Sequence, residues 1–407
     1  MMCKGRPLAC ALVRWSVIAS VLLAVSAPGG ATPRVPSSED AVVETLPTIS
    51  GWSREQRQLR NALAQRPRDE ATAIAAAQAY LELARSQGDA RYAGYAMGAL
   101  QAWDGPAAGT PAAILVMRAT VAQFLHDFDS AEATLKTALA RQPANAQAWI
   151  TLATILRVRG RYNESDAACR ALGRAGPALY GVACQAENAA LRGAHAPARE
   201  ALRDLLATPM LQGAQQAGTR QWLLTTLAEV EELAGRPAAA EAAYRQALQA
   251  ERSGYLLLAY SDFLLQAGRP GEVAPLLRNE PRSDAVLLRL AIARQRTPTQ
   301  KASTTQANDN FTDDVRELQA RFDAAALRPG NASVHAREGA LFALDVLGDS
   351  RRALELARAN VRVQREPIDM LLLARAAAAT HDDGARREVR TLMQQTGLRD
   401  ARIDAIP

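Results

Sequence analysis

Side chains able to do acid–base or metal chemistry are few in this sequence and lie far apart. The four histidines are His126, His195, His335 and His381. None has a second His or Cys at the spacing that zinc ligands take along a helix. Two of them, His126 and His195, fall at or beside predicted helix turns, where a capping or solvated histidine is the ordinary case. The sequence therefore predicts no metal site and no cofactor.

The adjacent carboxylates are equally poor candidates for catalysis. Glu231-Glu232 and Asp382-Asp383 are neighbours along predicted helices, and neighbours on a helix point in different directions. The sequence contains no phosphate-binding loop, no G-x-S-x-G and no dinucleotide-binding fingerprint. With no grouping of nucleophile, base and oxyanion donors, we expect a protein that is not an enzyme.

The elements that must position these side chains form a repeat of thirty-four residues. Large, small and aromatic positions recur in register without a gap. The first set is Leu115, Ala119, Ala122, Phe128, Ala131, Leu135, Ala138 and Pro143, and the second is Trp149, Ala153, Leu156, Tyr162, Ser165, Cys169, Leu172 and Pro177. This pattern resembles the tetratricopeptide repeat, a pair of antiparallel helices. The resemblance implies an all-α fold, a right-handed superhelix (an α-α solenoid) of about eight helix pairs.

Looser copies extend the array over residues 70–397. Each has a glycine at the turn between two helical stretches, and these glycines are Gly88, Gly193, Gly235, Gly268, Gly348 and Gly384. One weak unit is interrupted by residues 297–310, a polar stretch that predicts a surface loop or a mobile flap. Residues 32–69 are predicted to be an extended segment and a helix that caps the array, and residues 398–407 a C-terminal tail.

Such an array would offer its concave groove, lined by the first helix of each pair, as the binding surface. The candidate groove residues are Gln123, Thr154, Arg157, Glu187, Glu229, Glu232 and Asp262. Four of them are acidic, so we expect the groove to hold a partner protein or peptide bearing basic residues. The alternative is a solvated helix face, on which carboxylates are ordinary.

Two functions from different classes fit this architecture. The first is a non-enzymatic scaffold or adaptor of the bacterial cell envelope, which binds a partner protein or peptide in the groove. The second is a structural or export accessory that acts by self-association through its repeat ends. A clamp for a C-terminal carboxylate is disfavoured, because the positions for its Asn and Lys hold Met117, Thr151 and Thr226.

The N-terminus has the pattern of a secretory signal peptide. Lys4, Arg6 and Arg14 precede an apolar run over residues 15–25, and small residues follow it. We place the signal peptide at residues 1–31 with cleavage after Ala31, since a cut after Ala27 would leave a proline first. A retained anchor is the weaker interpretation, because the run is far shorter than the ~20 residues that span a bilayer. The expected product is periplasmic or secreted, without membrane insertion.

Cysteine content and charge add two further expectations. In the mature chain Cys169 and Cys184 either form a disulfide or are two buried small side chains, and the sequence does not decide between them. The net charge is +6 and falls to +3 when the three basic residues of the leader are subtracted. This balance gives no electrostatic footprint for a nucleic acid.

Overall fold

A computed structural model describes residues 54–87, 89–105, 109–297, 305–326 and 336–406, and every regular element in these ranges is a helix. The predicted signal peptide, its cleavage after Ala31, the extended segment up to residue 53 and the turn at Gly88 lie outside the described residues. No described helix is both long and apolar enough to cross a membrane.

The described α-helices are a single leading helix, nine antiparallel pairs, where about eight were predicted, and one short C-terminal helix; short 3₁₀ and π helices lie between some of them. They are α1 (Arg54–Gln65); α2 (Glu70–Gln87) with α3 (Arg91–Ala99); α4 (Ala112–Phe124) with α5 (Phe128–Arg141); α6 (Ala146–Val158) with α7 (Tyr162–Ala175); α8 (Ala178–Leu191) with α9 (His195–Ala207); α10 (Ala217–Leu233) with α11 (Pro237–Ala250); α12 (Gly254–Gln266) with α13 (Val273–Leu277); α14 (Asp284–Arg296) with α15 (Thr305–Ala326); α16 (Ala336–Phe342) with α17 (Ser350–Val361); α18 (Pro367–Ala379) with α19 (Asp383–Thr396); and α20 (Ala401–Asp404).

The pairs stack because each buries an apolar stripe that it cannot cover alone. Several of the pattern positions are fully buried, and Ala119, Leu135, Ala153 and Cys169 are all inaccessible to solvent. Small residues let neighbouring helices approach closely, both within a pair and between consecutive pairs. At Gly181 in α8 an added Cβ would lie 2.6 Å from the Cα of Gly173 in α7. The buried apolar side chains form three clusters that follow one another along the array.

In seven of the nine pairs the turn between the two helices is described in full and has the same backbone conformation. A single residue with positive φ ends the first helix, and these residues are His126, Gly160, Gly193, Gly235, Gly268, Gly348 and His381. Left-handed residues are cheap for glycine and costly for others, which explains the glycine signal in the sequence. The turn predicted at Gly384 is wrong: His381 takes the left-handed position, and Gly384 lies in the first turn of α19.

Two other expectations need correction. The polar loop predicted over residues 297–310 is shorter, because α15 begins at Thr305. Polar residues open this helix, and its apolar side chains come only later, with Leu318 fully buried, so the periodicity was too sparse to see at residues 305–310. The predicted tail over residues 398–407 is also wrong, since Leu398 and Asp400 are fully buried and α20 packs against α10.

Candidate functional site

The inner helices of the later pairs surround a cavity of about 290 Å³. Its wall is formed by α6 to α8, α10 to α12, α14, α16, the start of α18, and α20. Of the seven predicted groove residues the structure brings five to this wall, and they are Arg157, Glu187, Glu229, Glu232 and Asp262. Gln123 on α4 and Thr154 on α6 are not part of it, and the Thr154 hydroxyl instead donates to the Ile150 carbonyl at 3.0 Å.

Sequence reasoning missed about half of the charged wall. The missed side chains are Tyr255, Arg289, Arg337, Glu338, Glu366 and Arg402. Arg289, Arg337 and Glu338 belong to weakly patterned pairs whose register was not assigned, and Glu366 lies just before a helix. Arg402 belongs to the segment that was predicted to be a tail. Only Tyr255 could have been predicted from the sequence. It lies in the first turn of α12, the same helix as the predicted groove residue Asp262.

Arginine side chains neutralise three of the predicted carboxylates. Arg157 Nε lies 3.0 Å from Glu187 Oε1, which joins α6 to α8. Arg289 donates from Nε and Nη2 to both oxygens of Asp262, at 3.0 Å and 2.7 Å, which joins α14 to α12. Such two-point guanidinium–carboxylate contacts fix geometry as well as charge. These pairs staple the inner helices of neighbouring units together.

Glu232 is held by two partners from different parts of the chain. Its Oε1 accepts a 2.5 Å hydrogen bond from the Tyr244 hydroxyl, and its Oε2 lies 2.7 Å from Arg402 Nη1. Burial raises the pKa of Glu232, while the Arg402 guanidinium opposes that rise. Its sequence neighbour Glu231 points away from the cavity to Arg199, at 2.6 Å. Adjacent carboxylates thus serve opposite sides of α10, as helical geometry requires.

Glu229 and Glu338 differ from the other carboxylates of the wall. Within the part of the chain that the structure describes, neither has a cation at salt-bridge distance. Glu229 accepts a 2.5 Å hydrogen bond from the Tyr255 hydroxyl. Burial, reinforced by nearby carboxylates such as Glu187, raises the pKa of Glu229 to about 8. The six acidic and four basic side chains of the wall leave an excess of two negative charges when all are ionised.

A second polar cluster fixes one end of the cavity. Arg337 Nε lies 2.6 Å from Asp369 Oδ1, and its Nη2 also contacts Glu366. Asp369, fully buried, accepts a further 2.6 Å hydrogen bond from Asn360 and caps the Glu366 backbone N–H at 2.8 Å. Burial raises the pKa of Asp369, and the Arg337 charge works against it. Every partner is satisfied, so this cluster positions α16 against α18 and leaves no group for chemistry.

Cys169 and Cys184 form a disulfide, with their Cα atoms 5.5 Å apart. It joins α7 to α8 and therefore two consecutive pairs. Within the described residues no group of three or more His, Cys, Asp or Glu side chains is placed to hold a metal ion. His126 and His381 occupy left-handed turns, and His195 begins α9.

Comparisons with known proteins give structural neighbours alone. No family model matches the sequence, and no curated protein matches it either. The fold is similar to a tetratricopeptide repeat protein from Parabacteroides merdae (12% identity, 65% of this chain and 91% of that chain, TM-score 0.40). It is also similar to Naa15/Naa10 bound to HypK-THB (14%, 87% and 60%, 0.32) and to the TPR domain of P58(IPK) (14%, 81% and 95%, 0.22).

The residue pattern and the turns describe the fold independently of these neighbours. Left-handed turns at His126, Gly160 and Gly193 follow one another after 34 and 33 residues, and each joins two antiparallel helices that stack on the next pair. The described part of the chain is an all-α solenoid of stacked helix pairs, and its residue pattern and turns resemble those of the tetratricopeptide repeat.

Proposed function

We propose that this protein is a non-enzymatic interaction scaffold whose central cavity receives a basic side chain of a partner protein or peptide. The observation that carries the proposal is the pair Glu229 and Glu338, two wall carboxylates that have no cation at salt-bridge distance among the described residues. The neighbouring carboxylates Glu187, Glu232 and Asp262 each have an arginine. The cavity therefore has room and negative charge for one further cation.

The size and lining of the cavity favour a side chain over a whole ligand. At about 290 Å³ the cavity lies at the lower limit of typical small-molecule sites, so it fits one long side chain together with water. Tyr255, 65% exposed, lies beside Glu229 and offers an aromatic face to a guanidinium or ammonium group. Leu258 and Ile368 supply apolar wall for the aliphatic stem of a lysine or arginine.

Binding of a cation would be coupled to a proton. Near neutral pH Glu229 is largely protonated, because its pKa is raised to about 8. An arriving cation stabilises the carboxylate and releases that proton, so affinity should increase with pH until Glu229 is ionised in the free protein. A partner that contacts only the outer surface would show no such dependence.

We extend the proposal to a role in the bacterial cell envelope, on the strength of the N-terminal signal pattern. The experiment is site-specific photo-crosslinking in the native host, with p-benzoylphenylalanine in place of Tyr255 inside the cavity. The matched control has the same group in place of Tyr95, a half-exposed tyrosine on α3 that is not part of the cavity wall.

We expect a discrete adduct from position 255 that maps to a peptide containing Lys or Arg, and its loss in a Glu229→Gln background. An equal adduct from position 95, an adduct peptide without basic residues, or an adduct that survives Glu229→Gln would contradict the proposal. Charge reversal at Glu232 is a poor test, because it would leave Arg402 facing a like charge and disturb the fold.

A further inference from the structure

Residues 397–406, which we call the C-terminal segment, are held against the body by buried side chains, a backbone hydrogen bond and an ion pair. Gly397 ends α19 in the left-handed conformation with φ +78°. Beyond it Leu398 and Asp400 are fully buried, and Ile403 is 6% exposed. The segment is thus packed on a surface of the body that buries both apolar and charged side chains.

That surface is built from the turns of two inner pairs. The Arg399 backbone N–H donates to the Leu191 carbonyl at 2.9 Å, one of the carbonyls that the end of α8 leaves unpaired. A Cβ added at Gly193 would lie 3.1 Å from the Arg399 side chain, and one at Gly235 would lie 3.0 Å from the Ala401 Cβ. Glycine at these turns therefore supplies the left-handed conformation and also the space in which Arg399 and the start of α20 lie.

The segment also delivers a cation to the cavity. Arg402 Nη1 contacts Glu232 Oε2 at 2.7 Å, across 170 residues of sequence, while Nη2 contacts Asp400 Oδ2 at 2.7 Å. Arg402 and Glu232 both line the cavity wall. This surface binds the segment by a backbone hydrogen bond at Arg399, by the small residue Ala401 over a glycine turn, and by the Arg402 guanidinium, which reaches the cavity from the helical turn α20.

We propose that residues 397–406 are a self-ligand: they occupy in cis a docking surface that takes a short segment ending in one helical turn, in which a small residue is followed by arginine, and a partner of that chemistry displaces them. The proposal rests on the proposed function, because the displacing segment is the one whose basic side chain enters the cavity. Displacement exposes Glu232 to the partner and adds a third carboxylate to Glu229 and Glu338.

The test uses the full chain with Arg402→Ala, which removes the contact to Glu232. The matched control is Arg252→Ala, which removes a half-exposed arginine that lies 3.3 Å from Glu280. A second variant, Ala401→Leu, crowds the segment against Gly235 and leaves Arg402 in place. Hydrogen exchange reports on the amide of Arg399, and a fluorescent synthetic peptide of residues 397–406 is titrated in trans as the binding probe.

We expect exchange at Arg399 to be at least about tenfold faster in Arg402→Ala and Ala401→Leu than in the wild type and the control. The peptide should bind both variants at least about tenfold more tightly than the wild type, whose surface is occupied. The same peptide with Arg402→Ala should not bind. Unchanged exchange in both variants would overturn the proposal, and so would equal peptide affinity for the wild type and the variants.

These outcomes are separate from those of the proposed function. Adducts at position 255 that depend on Glu229, together with unchanged exchange at Arg399, would leave the cavity function intact and remove the self-ligand. Tight peptide binding to the variants, together with adducts at position 255 that persist in Glu229→Gln, would support the self-ligand and contradict the cavity function.

Discussion

Replacing Gly160 by alanine should destabilise the protein more than the same replacement at Gly268. Both glycines end the first helix of a pair, with φ of +73° and +71°. A non-glycine residue in the left-handed region costs about 1–2 kcal/mol, and that cost is common to the two positions. The comparison therefore cancels the backbone effect and isolates what surrounds each turn.

The surroundings differ because only Gly160 touches the C-terminal end of the array. An added Cβ at Gly160 would lie 2.6 Å from Thr396 Cγ2, whereas one at Gly268 would meet nothing within 4 Å. Overpacking of this kind adds about 1–3 kcal/mol. We thus expect a loss in the free energy of unfolding of about 2–5 kcal/mol for Gly160→Ala and about 1–2 kcal/mol for Gly268→Ala.

The assay is urea denaturation followed by far-UV circular dichroism and tryptophan fluorescence. Thr396→Ser is the rescue: it deletes the clashing methyl and keeps a hydroxyl that can donate to the Leu392 carbonyl, as the threonine does at 2.9 Å. The double variant Gly160→Ala/Thr396→Ser should return to the level of Gly268→Ala. Equal losses for the two single variants, or a double variant without recovery, would show that the C-terminal pair does not contact this turn in solution.

Three further outcomes follow from the structure. The pKa of Glu229 is raised in the folded state to about 8. The free energy of unfolding of the wild type relative to Glu229→Gln should therefore fall between about pH 5 and 8, by no more than about 1.4 kcal/mol per pH unit. A difference between the two proteins that does not change with pH in urea denaturation would contradict this. Replacing Cys169 and Cys184 by alanine should cost about 3 kcal/mol for the 15-residue separation, and reduction of the wild type should abolish the difference between the two proteins. Gly181→Ala should lower the free energy of unfolding by about 1–3 kcal/mol, because its Cβ meets the α7 backbone. Gly94→Ala, whose Cβ meets no atom within 4 Å, should raise it by up to about 1 kcal/mol. Melting curves that rank the two variants the other way would refute the close approach of α7 and α8.

The repeat could be predicted from sequence because its signals are local. A small residue such as Ala153, a turn glycine such as Gly160 and a closing Pro177 are all set by the packing within and between adjacent helices. The same locality explains the misplaced turn in the last pair. His381 adopts a left-handed conformation, which is uncommon for residues other than glycine. The repeat pattern expects a glycine at this position, and the prediction therefore placed the turn at Gly384.

About half of the cavity wall could be predicted from the sequence. The other half depends on how the last helices of the array contact its middle. The register of the strong units placed Arg157, Glu187 and Glu229 on one face, and the structure brings them together. The sequence could not show which carboxylates would be neutralised, since the arginines come from helices one pair away or from the far end of the chain. Arg402, which meets Glu232 across 170 residues, is the extreme case.

The contacts between the last pairs and the middle of the array affect its stability as well as its surface. In an open solenoid each pair contacts only its neighbours, so stability is a sum of local terms and the ends fray first. Here the backbone N–H of Arg365 donates to the Val158 carbonyl at 2.6 Å, and that of Arg399 donates to Leu191, so the last pairs are bonded to the third and fourth. Unfolding of the C-terminal pair must break these contacts and the Arg402 ion pair together. The end of the chain is therefore coupled to the middle of the array, and a partner that displaces residues 397–406 would act on the whole solenoid through a few contacts.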